Sequence, residues 1–412
     1  MTTSEGMVDL TDAELVRDPF TAYSRIRERA ALAKAVVPGI EPMWLVTRYD
    51  DVKLVMSDPR FVSSAAAVPG AVDLREQLWR ATGIPEEHFV YLKAGVSEVD
   101  GAEHARLRGL VTRAFTVRRV TELRPRIAEL TERLLDELPG RAEDGVVDLL
   151  RHFAYPLPIA VICELVGIPE KDRPQWRDWS AALAAGFGPG VAEALAGMVD
   201  HVRVLLEFRR HHPADDLITG LVRAQAEDGD RLSDVEMIAL VQNLVVAGHE
   251  TTAHLLANGT AALLTHPDQL ALLRADPALL PKAVHELMRW CGPGLGTRMR
   301  YAAEDVEIGG ELVRRGEAVM PVLAGANYDP REFATPERLD ITRDPGRAET
   351  HVGFGAGPHY CLGAALARQE AEIAFGALFR RYPGLALAVE PEELRHGPNP
   401  GTWQLDALPV RW

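Results

Sequence analysis

Phe354-Gly355-Ala356-Gly357-Pro358-His359-Tyr360-Cys361-Leu362-Gly363 is the stretch on which the reading of this chain turns. Two glycines and a proline make an irregular turn ahead of the cysteine. The apolar spacing from Leu362 to Arg380 then reads as a helix that begins directly after Cys361. Backbone N–H groups and the positive end of that helix would stabilise a thiolate. Gly363 leaves room for a flat ligand to approach the backbone. Read alone, the loop also fits a buried, inert cysteine, which is what most lone cysteines are.

Outward from that loop, the chain contains only two other cysteines, Cys163 and Cys291. Three thiols so far apart form no disulfide framework, so a reducing cytoplasm fits, and a special cysteine would be a ligand or nucleophile. The 412 residues would allow two or three domains by length, but no linker, low-complexity tract or repeat divides them. We expect a single domain over 1–412, a core with a smaller lobe attached. A net charge of −15 argues against nucleic acid or an anionic membrane as partner. Met1 to Phe20 is polar and acidic, unlike a signal peptide, and no run of about 18 apolar residues suggests a spanning helix.

The pattern is mainly α with a minor strand component, an α+β chain. Met43–Thr47 reads as a strand, Val306–Ile308 and Leu312–Val313 around Gly309-Gly310 as a hairpin, and Ala318–Val322 as another strand. This places a β-rich lobe at about 30–60 and 300–325, with the C-terminal turn near 395–410. Apolar residues recur at helical spacing from Thr121 to Leu138. The longest helix runs from about Ser233 to Thr265, opened by a capping box of Ser233 and Glu236 and followed by Pro267. It would be roughly 48 Å long, a central rod. No dinucleotide-binding glycine fingerprint follows a strand, which excludes a doubly wound sheet.

Several further groups carry chemistry. In Ala247-Gly248-His249-Glu250-Thr251-Thr252, an acid and two hydroxyls interrupt the apolar run from Leu244 to Leu256. The threonines could bond back to the preceding turn. Alternatively, the glycine opens the helix and the acid and hydroxyl deliver protons. His249, Glu250 and His254 invite comparison with zinc proteases, but a spacing of five turns the imidazoles about 140° apart, so they cannot share a zinc. Glu286 and Arg289, at i and i+3, can pair on one helix face, and Arg338 offers a second arginine. His104 and Arg108 stand one turn apart; Arg300 and His359 are two more cations that could meet carboxylates.

Taken together these residues resemble the cytochrome P-450 family, from about Asp18 to the carboxyl end, in the family's order and spacing. The loop matches the family's haem-ligand signature at Phe354, Gly355, Gly357, His359, Cys361 and Gly363. The resemblance implies the P-450 fold, with a large helical domain, a smaller β-rich lobe and a long central helix. It implies haem b with Cys361 as iron ligand, and Ala247, Gly248, Phe354 and Gly363 beside the haem. His104, Arg108, Arg300 and His359 would hold its propionates, with Arg298 a close rival to Arg300. Glu250 and Thr251 resemble the oxygen-activation pair. Glu286, Arg289 and Arg338 resemble the structural Glu–Arg–Arg cluster, although Leu339 stands where many relatives have phenylalanine.

The chain looks closest to soluble actinobacterial members that tailor natural products. The implied reaction is hydroxylation or epoxidation by dioxygen of a bulky, mostly apolar molecule such as a macrolide or other polyketide. Substrate contacts would come from Val62–Val96, Ala182–Val191, Leu244, Ala247, Leu295 and Trp403. Neither a flavin fingerprint nor a cysteine cluster is present, so electrons would come from a ferredoxin and its reductase, docked with help from Arg106, Arg113, Arg118 and Arg119. Other oxidative outcomes, such as dealkylation or ring coupling, and a haem-binding sensor without turnover are the alternatives.

Overall fold

The computed structural model describes residues 6–185, 190–228, 232–346, 349–397 and 399–412. The chain forms two compact units: Met1–Leu74 with Thr131–Ala154 and Thr252–Trp412, and Arg75–Leu130 with Tyr155–Thr251.

The first unit holds the sheets. A six-stranded sheet runs in the order Val8–Asp9, Leu32–Val36, Met43–Val46, Ala318–Pro321, Arg300–Ala302, Phe61–Val62. Leu45 and Val46, buried in the third strand, show why this apolar stretch pairs on both edges. The hairpin Val306–Ile308 with Glu311–Val313 turns through Gly309 and Gly310, both at positive φ as a two-residue hairpin turn requires. A three-stranded sheet joins Val147–Asp148, Ala386–Leu387 and Pro409–Arg411.

Two helices of this unit, Leu280–Cys291 and Ala364–Arg381, pack together. The helix after Cys361 starts at Ala364 rather than directly at the cysteine, because Cys361-Leu362-Gly363 first makes a turn and Gly363 takes the capping position.

The second unit is helical. Pro156–Val166 buries nine of its eleven residues and ends at Gly167, whose φ of 104° is the left-handed cap that stops a helix. The long helix is continuous over Asp234–Thr265, its first part in this unit and its remainder, from Thr252, in the other. Its start is as read: Ser233 N–H donates to Glu236, and Glu236 N–H donates to Ser233 Oγ at 3.2 Å. The helix expected over 121–138 is instead two pieces, Val117–Glu122 and Arg124–Glu137. Pro125 has no N–H for the carbonyl of Thr121, so the ladder breaks there.

In the first unit Glu286 and Arg289 form a buried bidentate pair at 2.8 and 2.7 Å. The second arginine on Glu286 is Arg343, at 3.1 Å, and not Arg338. Arg338 is exposed and lends only its carbonyl, at 3.3 Å from Arg289 Nη2. Its side chain lies outside because the turn from Thr335, where Arg338 N–H bonds back to the Thr335 carbonyl, faces solvent. Glu286→Ala leaves the Arg289 charge buried without a counter-ion, so it should destabilise the chain by about 3–5 kcal/mol. Urea unfolding would measure this; a loss below about 1 kcal/mol would contradict it.

Candidate functional site

In the first unit the cysteine loop is a tight bend. Gly355 N–H donates to Val352 O at 2.8 Å, Tyr360 N–H to Gly357 O at 3.0 Å, and Cys361 N–H to Phe354 O at 2.9 Å. Gly357 has φ 71°, and a Cβ there would come within 2.5 Å of the Met56 carbonyl, so no side chain fits. At Gly363 a Cβ would meet nothing within 4 Å, which leaves an open surface beside the loop. Cys361 is exposed while Cys163 and Cys291 are buried. Burial pushes the Cys163 thiol up to about 12 and raises that of Cys291 as well, which makes both poor ligands. Phe354 is buried, its ring 5.4 Å from the Arg368 guanidinium.

Arg300 is buried on its strand and bonds to Ser63 Oγ, which lies 3.4 Å from His359 Nε2. Arg298 is exposed, so Arg300 is the inward cation of the two. Ser63 has no motif to reveal it. It arrives because Val62 pairs with Tyr301, which sets the next residue beside Arg300.

Leu295 is only 2% exposed and lies in the core cluster with Tyr301 and Val322, so its expected place on a substrate wall is covered by protein. Trp403 stacks on His396 with centroids 3.4 Å apart and meets Phe20 edge-on at 5.6 Å. It too is part of that packing.

One further group of the first unit has metal-ligand spacing among the described residues: His285, Glu349 and His351. Their nearest atoms lie 3.1, 3.1 and 3.5 Å apart, close to the ~3.3 Å between ligands of a tetrahedral zinc. They border a cavity of about 570 Å³ with Lys53, Tyr360 and Arg368. Arg368 Nη1, however, already lies 2.6 Å from Glu349 Oε1. A divalent ion about 4 Å from that guanidinium would meet repulsion on the order of 8 kcal/mol. Burial pushes the His351 ring down to about 3, so it is neutral, and Gly353 N–H donates to its Nδ1 at 3.2 Å. The ring proton then sits on Nε2, the atom a metal would need. The cluster is a hydrogen-bonded network closed by Arg368.

In the second unit the long helix presents one uncovered stripe. Ala247 and Thr251 are exposed and Leu244 and Gly248 partly so, at spacings of three and four. Exposed positions within an apolar helix mark a face that protein does not cover. The expected opening of the helix at Gly248 is not there. The helix is unbroken, and the missing side chain admits Ile162, which a Cβ would approach to 3.1 Å. Thr251 Oγ1 donates to the Ala247 carbonyl at 2.6 Å and keeps its acceptor capacity.

Glu250 points the other way. It is 4% exposed, with Oε2 3.2 Å from the Tyr155 hydroxyl and Oε1 3.3 Å from His249 Nδ1. Burial raises its carboxyl to about 7, with the Tyr155 hydrogen bond pulling downward. Neither Tyr155 nor His249 stood out as a partner of the acid, because the chain separation hides the first and the histidine was weighed only as a metal ligand.

His104 and Arg108 lie on the helix Gly101–Thr112, the histidine buried and the arginine partly so. Of the arginines expected to dock a redox partner, Arg106 pairs with Glu236, Arg118 with Glu122 and Arg119 with Asp215. Three of the four therefore have an acidic neighbour within ion-pair distance. Of the expected substrate segments, 186–189 lie outside the described residues.

The Cytochrome P450 family profile matches residues 191–396. The chain is 41% identical over 415 residues to "Cytochrome P450 monooxygenase PikC" of Streptomyces venezuelae, covering 100% of this chain and 95% of that one. It is 37% identical over 377 residues to "Mycinamicin IV hydroxylase/epoxidase" of Micromonospora griseorubida, covering 90% of each. The solved structure of the tirandamycin C-bound P450 monooxygenase TamI superposes with a TM-score of 0.89 at 37% identity, covering 98% of this chain and 99% of that one. The chain belongs to the cytochrome P450 family and is a P450 monooxygenase with the P450 fold. Its cofactor is haem b. An exposed thiol on a glycine-relieved bend, open space at Gly363 and the buried Arg300 suit such a flat, dianionic, thiolate-bound group. Bacterial members generally draw on redox partners and bind apolar substrates. No described helix is long and apolar enough to cross a membrane.

The Glu250 carboxyl is raised above its unfolded value, so the folded state holds a proton that the unfolded state has lost. Stability should therefore fall as pH rises from about 4.5 to about 7 and level off above. Relative to Glu250→Gln, the wild type should lose on the order of 3 kcal/mol across that window. Parallel urea midpoints at pH 4.5 and 8 would show it; equal differences at both pH values would contradict it.

Proposed function

We propose that this P450 hydroxylates or epoxidises a bulky, mostly apolar secondary metabolite, such as a macrolide or other polyketide. The single observation that carries the site reading is the exposed Cys361 on its constrained loop, beside two cysteines too buried to serve. Support for the substrate class comes from the relatives' names and from the small, apolar stripe of Leu244 and Ala247. We take 1–412 as one functional domain because relatives match along its whole length. The same matches favour a cytoplasmic enzyme.

In this reading Cys361 would ligate the haem iron. Phe354, Gly363, Ala247 and Gly248 would lie against the porphyrin, and His104, Arg108, Arg300 and His359 would hold its propionates. Ser63 would orient the last two. The haem supplies oxygen activation and C–H or alkene oxidation when bound. The protein's part is to deliver protons and exclude water. Glu250, titrating near neutrality, can release and regain a proton under physiological conditions, where an ordinary carboxylate would stay ionised. Thr251, on the uncovered stripe, accepts a proton-bearing hydrogen bond while donating its own hydrogen to Ala247. Glu286, Arg289 and Arg343 hold the scaffold. Electrons would come from a ferredoxin and its reductase.

The carbon monoxide difference spectrum of the reduced holoprotein tests the ligand. A strongly red-shifted Soret band in the wild type, lost in Cys361→Ala, is expected. A shifted band that survives the substitution would overturn the assignment. For proton delivery, Thr251→Ala should lower product formation by about 10²-fold while NADPH consumption through the redox partners continues, its electrons leaving with dioxygen as hydrogen peroxide. Coupled product yield in the variant would argue against it.

A further inference from the structure

Glu250 and Thr251 are neighbours in sequence but stand about 100° apart around the helix. Thr251 lies on the uncovered stripe and Glu250 is turned into the packing, so the acid does not face the hydroxyl it is meant to serve. One hydrogen bond holds it there: Tyr155, at the start of the helix Pro156–Val166, donates to one carboxyl oxygen at 3.2 Å, while His249 Nδ1 lies 3.3 Å from the other without hydrogen-bond geometry. The Tyr155 and His249 rings also meet, with centroids 5.2 Å apart. His249 is fully buried, whereas Tyr155 is only partly covered. A buried carboxyl bonded to the phenol of a neighbouring helix is a restrained group.

We propose that Tyr155 is a positioning residue for the proton-donating acid: its hydroxyl clamps the Glu250 carboxyl in an inward, loaded position from which the acid must be released to serve Thr251. This rests on Glu250 being that acid. The clamp has two consequences.

First, the phenol donates its hydrogen bond to the carboxylate form and so opposes the burial that favours the neutral acid. Glu250 gains its ionisation near neutrality from that opposition. Second, the phenol gives Glu250 a route to reload: as the carboxylate takes the phenol's hydrogen, the phenol oxygen takes a proton from a hydronium ion, which is left as water. The titratable groups set against this acid are Tyr155 from the neighbouring helix and His249 from its own. One turn further along the helix, His254 is kept neutral by burial, its ring pushed down to about 4.

The test compares wild type, Tyr155→Phe and Glu250→Gln as haem-loaded proteins. The first readout is the infrared carbonyl band of a protonated buried carboxyl followed against pH; the second is the pH profile of coupled product formation. Glu250→Gln should abolish the titrating band and lower the rate, which identifies the acid. In Tyr155→Phe the band midpoint should move up by about one pH unit, and the rate profile should move with it. Phenylalanine keeps the ring and its packing, so a merely structural role for Tyr155 would leave both midpoints in place. Unmoved midpoints in Tyr155→Phe, with Glu250→Gln impaired, would overturn the clamp and spare the acid. A rate unaffected by Glu250→Gln would instead remove the acid assignment on which the clamp stands.

Discussion

A guanidinium buried at 2% exposure is the constraint to which the cysteine side of this protein is tied. Arg289 has five N–H donors and the structure engages every nitrogen: two bonds reach Glu286, and three reach the carbonyls of Asn327, Pro336 and Arg338. Glu286 in turn accepts from the Asp340 N–H at 3.0 Å and from Arg343. Such a pair adds little net stability compared with well-packed apolar residues, because desolvating two charges offsets their attraction. What it contributes is geometry. Of the carbonyls that Arg289 holds, that of Asn327 ends a short helix, Leu323–Asn327, and those of Pro336 and Arg338 lie in a segment without regular secondary structure. The Asn327 side chain then accepts from Val352 N–H at 2.8 Å, and Val352 opens the bend that ends at Cys361. Four bonded steps connect the buried charge to the thiol.

Several carboxylates of the first unit are closed into charged networks: Glu286 with Arg289, and Glu349 with Arg368 and His285. These groups have their charge matched and are held in place. In the second unit Glu250 is buried with a phenol on one carboxyl oxygen and an imidazole beside the other. An acid in that setting keeps its proton into the neutral range. The cost in stability is the counterpart of its usefulness, since a carboxyl fully paired with arginine could not exchange protons at ordinary pH.

Much of this was legible without coordinates. The glycines around Cys361, the capping box at Ser233, the hairpin at Gly309-Gly310 and the i, i+3 pair of Glu286 and Arg289 are all local, and local chemistry is written in adjacent letters. The errors came where the answer depended on direction. Arg338 and Arg343 are equally plausible partners for Glu286 by spacing, and a turn that sends the first outward decided for the second. Leu295 is apolar at a position open to a substrate by resemblance, but packing with Tyr301 and Val322 covers it.

The sequence by itself determined the family and with it the cofactor class, because the pattern around Cys361 is carried by adjacent residues. Tertiary structure alone decided what each polar group faces. Ser63 comes to Arg300 through strand register, Tyr155 to Glu250 through helix packing, and Arg368 to the Glu349 carboxylate that a metal would need. The physical reason is that a carboxyl's proton affinity and a cation's availability depend on burial and on partners within a few ångströms, and residues 95 positions apart enter that distance only when the chain has folded.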